Sequence, residues 1–114
     1  MELKDLKTMH CSRIQREATP LSEGEVNRYL EKVPGWSVVE RDGIPRLEKR
    51  YKFKDFKEAL AFTNRVGGIA EDQDHHPMIA TEWGRVTVSW WTHVIRGLHL
   101  NDFIMAAKTD ELYS

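Results

Sequence analysis

Met78–His93, MIATEWGRVTVSWWTH, reads as two strands separated by Gly84. In the segment Arg85–His93, Val86, Val88 and Trp90 fall on one face, and Thr87, Ser89, Trp91 and His93 on the other. That alternation predicts a hairpin with one buried face. Toward the N-terminus a similar pair precedes it: Trp36–Glu40 and Arg46–Phe53, joined by Arg41-Asp42-Gly43-Ile44, where Asp-Gly is the turn signal. Leu47, Tyr51 and Phe53 share one parity of the second strand, with charged residues mostly on the other.

Helical patterns flank both hairpins. Ser22 followed by Glu25 has capping-box spacing. Val26, Tyr29, Leu30 and Val33 follow at helical spacing until Pro34-Gly35 stops the run. Asp55 with Glu58 opens a second helix, whose expected buried stripe is Phe56, Ala59, Leu60, Thr63, Val66 and Ala70. Gly67-Gly68 interrupts it, at about 1 kcal/mol per glycine relative to alanine. Close packing against another helix, such as one from a second subunit, would explain the pair; so would a helix ending there. Asn101–Leu112 is a final helix, with Phe103, Ile104, Ala107 and Glu111 on a partly apolar stripe. The order α-β-β-α-β-β-α predicts an α+β domain with a four-stranded, mainly antiparallel sheet and helices on one face.

Composition narrows the function classes. A chain of 114 residues supports one compact domain, and 40% hydrophobic with 31% charged residues is the balance of a folded soluble protein. Residues 1–20 are polar and aperiodic, and read as a loosely attached arm ahead of a domain over 21–114. His10 lies in that arm and is set aside. The formal net charge of -1 gives no field favouring nucleic acid or an acidic membrane. No stretch approaches the ~20 apolar residues of a membrane span, and Met1–Glu17 lacks the apolar core of a signal peptide; the cytoplasm is the expected compartment. Cys11 is the only cysteine, which excludes an intrachain disulfide and a CxxC knuckle.

Four of the five histidines lie between positions 75 and 99, accompanied by Glu71, Asp72, Asp74 and Asp102. Histidine titrates near neutrality, so it can both give and take protons there. Adjacent His75-His76 in a regular strand would point to opposite faces, but at a helix-to-strand junction before Pro77 both could converge. Three readings compete: ordinary surface or interface histidines, a metal site, or metal-free acid–base chemistry. His and carboxylate suit zinc or iron, yet no HxH, HxxxH or HExxH spacing places two imidazoles on one face. Acid–base chemistry asks for two titratable groups flanking a substrate and a carboxylate to orient one of them.

Glu71, three residues, His75-His76-Pro77, five residues, Trp83, nine residues, His93, eight residues, Asp102: this spacing resembles the signature of the pterin-4a-carbinolamine dehydratases. The resemblance runs from about Leu21 to Leu112. It includes Pro34-Gly35-Trp36, the Phe53-Lys54-Asp55-Phe56 junction and Thr92-His93. It implies a homodimer or homotetramer with a metal-free active site and no cofactor besides the pterin substrate. The implied reaction expels water from a 4a-hydroxytetrahydropterin, the product released by aromatic amino-acid hydroxylases. By resemblance, His75 and His93 form the acid–base pair, and His76 binds and polarises the pterin. Asp102 orients His93 or its neighbour, and Glu71 and Asp74 tune the pocket. Trp36 and Pro77 form its apolar walls, while backbone around Asp74, His75, His76, Trp91, Thr92 and His93 holds the amide edge. Trp83 and Trp90 read as core or interface aromatics. Asp102 has a plainer reading as well, since His99 to Asp102 has capping-box spacing. His99 and Trp91 depart from the family, which usually places Ser or Thr at the first position and often a small polar residue at the second. Degenerate relatives that act as coactivators or assembly factors tend to lose the histidine set, which is complete here.

Overall fold

The computed structural model describes residues 3–15 and 17–113. Its sheet is built from β1 (Ser37–Arg41), β2 (Ile44–Lys52), β3 (Met78–Glu82) and β4 (Arg85–Trp90), in the spatial order β1-β2-β4-β3 with every neighbouring pair antiparallel. Three α-helices, α1 (Glu23–Leu30), α2 (Phe56–Gln73) and α3 (Leu100–Leu112), complete the expected α+β order. Asp42 (φ 55°) and Gly43 (φ 77°) both take the left-handed region, so the first hairpin closes in two residues with the twist that type I′ turns supply. Val86, Val88 and Trp90 of β4 are fully buried, beside Leu47 and Tyr51 of β2. Phe62 and Val66 of α2 and Phe103 and Ile104 of α3 close the core over that face.

Four features differ from the sequence expectations. Helix α2 runs through Gly67-Gly68 without a break, and a Cβ at either glycine would meet no atom within 4 Å. The buried stripe of α2 is Ala59, Phe62, Val66 and Ala70, whereas Phe56 and Leu60 are 46% and 44% exposed. Phe62 takes the core because its ring meets Tyr51 at 4.7 Å and Phe53 at 5.1 Å, which turns Phe56 and Leu60 outward. Strand β4 ends at Trp90, and a bridge between Thr92 and Gly97 encloses a 3-10 turn over His93–Ile95, so His93 leaves the sheet.

The arm is the fourth difference. Leu3–Thr8 forms a 3-10 helix against α3, and its Leu6 is 1% exposed within the core. Farther along, the Leu21 amide donates to the Leu98 carbonyl at 2.8 Å. Leu6, the partly buried Met9 and Cys11, and a set of polar clips hold this segment, a pattern that carries no periodicity to read. Among the described residues, no helix is long and apolar enough to cross a membrane.

Candidate active site

Asp55 caps the start of α2 by accepting from the Glu58 amide, and at the far end Asp74 stops it in the left-handed conformation (φ 52°). Asp74's amide closes back on Ala70 and Glu71, so the chain turns sharply into His75-His76-Pro77 before β3. The turn over His93–Ile95 brings the end of β4 to the same place. Between them lies a cleft of about 780 Å³ lined in part by Asp74, His75, His76, Thr92 and His93.

His75 is 8% exposed, and its Nε2 lies 2.7 Å from Oδ1 of Asp102, which is wholly buried. The other oxygen, Oδ2, accepts from the Thr92 hydroxyl at 2.8 Å and from the His99 amide at 2.9 Å. A carboxylate can only accept, so His75 presents Nε2–H to Asp102 and leaves Nδ1 as its free position. The Trp90 ring stacks on the His75 imidazole, 6.0 Å between centroids and 11° from parallel, which fixes the ring plane. His76 is exposed and paired through Nε2 with Glu71 at 2.6 Å. His93 donates from Nε2 to the His76 carbonyl at 3.3 Å, so its Nδ1 is likewise free. Behind His93, the Trp91 ring lies 4.4 Å from the imidazole, and the Arg46 guanidinium sits 3.9 Å over the indole.

His99 completes the frame at the N-terminus of α3. Its Nδ1 accepts from the Asn101 amide at 3.1 Å while its own amide donates to Asp102, a capping box with histidine in the cap position. Burial lowers the His99 pKa below its usual range, and nearby His75 adds to this, against the opposing pull of Asp102. The neutral ring is the form that can accept at Nδ1. Asp102 therefore serves both readings of the sequence: it caps α3 and it holds a histidine. Among the described residues, no three of His, Cys, Asp and Glu are grouped to hold a metal ion.

A family model described as pterin 4 alpha carbinolamine dehydratase matches residues 19–112. The chain belongs to this family. The pterin carbinolamine dehydratase family includes relatives from Microcystis aeruginosa and Nitrosococcus oceani, both described as "Putative pterin-4-alpha-carbinolamine dehydratase". The first is 50% identical over 111 residues, 97% of this chain and 96% of that protein. The second is 52% identical over 110 residues, 96% of this chain and 97% of that protein. A crystal structure described as transcriptional coactivator/pterin dehydratase, from Brucella melitensis, superposes with a TM-score of 0.77 at 34% identity, covering 84% of this chain and all of that one. A pterin dehydratase-like protein described as a RuBisCO assembly factor in the alpha-carboxysome shares the fold, with a TM-score of 0.59 at 21% identity over 71% of this chain and 94% of that one.

Within this family frame, the structure relocates several expected site residues. Asp102 holds His75 and Thr92, the neighbour of His93, and makes no hydrogen bond to His93 itself. Trp36 is not in the cleft: it is 6% exposed, and its indole N–H donates to the Asp110 carboxylate at 3.2 Å. Asp102 and Asp110 are eight residues apart on α3, about 12 Å along the axis, so Trp36 packs at the other end of the helix with Lys49 and Tyr51. Pro77 is half-buried and leads into β3 without lining the cleft. Trp91 and Glu71 stand behind His93 and His76 rather than on the cleft wall. The cleft also has walls that sequence reasoning missed: Asn101, Gln73 and Val94, and the arm residues Cys11–Ile14. The Cys11 thiol is pushed up to about 11, by burial first and then by Asp102, so this wall stays protonated. In the sequence, only the titratable pair His10-Cys11 carries a chemical signal for that wall.

Proposed function

We propose that the protein is a 4a-hydroxytetrahydropterin dehydratase, which eliminates water to give the quinonoid dihydropterin. The observation that carries this reading is the buried His75–Asp102 pair opening, with His93, onto one cleft. Loss of the C4a hydroxyl needs a proton on the departing oxygen, and closing the quinonoid ring needs an N–H proton removed. In this reading His75, with the Asp102 carboxylate as counter-charge, carries the proton to the hydroxyl. His93 takes the ring N–H proton at its free Nδ1. His76, held by Glu71, binds and polarises the ring, while Asp74 and Thr92 bound it. Each acid or base contributes about 10²–10⁴-fold, and no bound metal or cofactor enters the scheme. The protein would act in the cytoplasm as a homodimer or homotetramer, recycling pterin released by an aromatic amino-acid hydroxylase.

A second reading, a protein-binding or dimerisation module, is favoured by the outward Phe56 and Leu60 of α2 and by Trp83, which is 72% exposed. Stopped-flow absorbance of 4a-hydroxytetrahydropterin decay separates the two. Acceleration by the wild type and none by a folded His75→Ala/His93→Ala variant is the expected result. No acceleration by either protein would sink the dehydratase reading and leave the binding module.

A further inference from the structure

The arm enters the cleft as a built wall. Asn101, 2% exposed, accepts from the Ser12 amide at 3.0 Å through Oδ1 and donates from Nδ2 to the Ser12 carbonyl at 2.8 Å. That two-way clip copies the pairing of one strand residue with another. The Cys11 amide next door donates to Gln73 Oε1 at 2.8 Å. These contacts tie 11–12 to the last turn of α2 and the first turn of α3, the two helix ends that frame the histidines. Arg13 and Ile14 follow on the same rim.

Beyond that rim lies a second cleft of about 570 Å³ lined by Arg13, Ile14, Gln15, Glu17 and Val94. Arg13, Ile14 and Val94 line both clefts and so form the ridge between them. Ligand pockets of about 300–1,000 Å³ accommodate drug-sized molecules, and the first cleft already lies in the upper part of that range, leaving room beside a flat bicyclic ring. Arg13 is exposed and makes no ion pair or hydrogen bond with another described residue, Asp74 and Glu17 included. Among the described residues it is the arginine at the junction, five donors with no acceptor from any of them.

We infer that the clipped arm is a specificity wall and that Arg13 selects ligands whose ring substituent ends in an anion, a carboxylate or a phosphate. The inference deepens the pterin reading and rests on it. A ring seated against the histidines directs its substituent over the Ile14–Val94 ridge. Arg13 meets the anion there in a charge-assisted, bidentate contact. Glu17, the carboxylate of the second cleft, sets the limit: the anion is held at the ridge and not deeper.

The test measures dissociation constants for 7,8-dihydrobiopterin, 7,8-dihydroneopterin monophosphate and 7,8-dihydrofolate by fluorescence titration, on the full chain and on Arg13→Gln. Wild type is expected to prefer at least one anionic ligand over dihydrobiopterin by about five- to tenfold at low salt, and the ratio is expected to fall toward one in Arg13→Gln. Preference for the phosphate alone or for the folate alone identifies the anion. Equal binding of all three by wild type, or a preference that survives Arg13→Gln, overturns the role of Arg13 and leaves the pterin reading standing. Binding of none of the three overturns both.

Discussion

Asp102 gathers three donors from three segments: the imidazole after α2, the Thr92 hydroxyl after β4 and the amide that starts α3. A buried carboxylate is tolerated only when its lone pairs are met in this way. His99 depends on it, and burial favours the neutral ring that caps α3. Its folded pKa lies below the unfolded value of about 6.5, so the unfolded chain binds the extra proton first. Stability from this residue is therefore complete above about pH 6.5 and is lost as the pH falls below it. His99→Ser replaces the ring-nitrogen acceptor with a capping hydroxyl and removes the titration. Thermal melts from about pH 7.5 down to about pH 5 are expected to fall less steeply for His99→Ser than for wild type. Parallel curves would show that the His99 proton is not linked to folding.

Two elements carry most of the site. Helix α3 spaces Asp102 and Asp110 so that one end serves the cleft while the other gathers Trp36, Lys49 and Tyr51. The Tyr51 phenol is pushed far up, first by burial and then by its hydrogen bond to Asp110, and it stays a donor. Helix α2 ends at Asp74 in the left-handed turn that directs His75 into the cleft. Its Gly67-Gly68 pair faces open space in this chain. Alanine at 68 therefore has room and a better helix propensity, and Gly68→Ala is expected to raise unfolding free energy by about 1 kcal/mol in urea titration. A loss of stability accompanied by a smaller sedimentation coefficient would mean that a second helix covers this face.

At the scale of the molecule, the segment before the first helix belongs to the packed structure. Leu6 is buried in the core, and the clips at Cys11 and Ser12 carry the same segment onward to the cleft. Leu6→Ala removes a buried side chain from a position framed by α3, so a loss of about 2–4 kcal/mol in unfolding free energy is expected. Chemical denaturation checks it, and hydrogen exchange at the Cys11 and Ser12 amides should quicken as the arm loosens. A change under about 0.5 kcal/mol, the size of an ordinary surface substitution, would restore the picture of a loose arm.

The sequence by itself determined the α-helices, the strands and their order. Alternation in Arg85–Trp90, Asp42-Gly43 between two strand patterns and the Ser22–Glu25 box are local signals, and the physics that forms those elements is local too. It also brought His75, His76 and His93 into one candidate set, because their spacing matches a family signature. Only the tertiary structure decided that Asp102 grips His75, that Trp36 belongs to Asp110, that Phe62 displaces Phe56 and Leu60 from the core, and that the arm walls the cleft. Each of these is a contact between different elements of the fold, chosen by which buried polar atom finds a partner and which ring fills the space. Neither choice leaves a period or a spacing in the sequence.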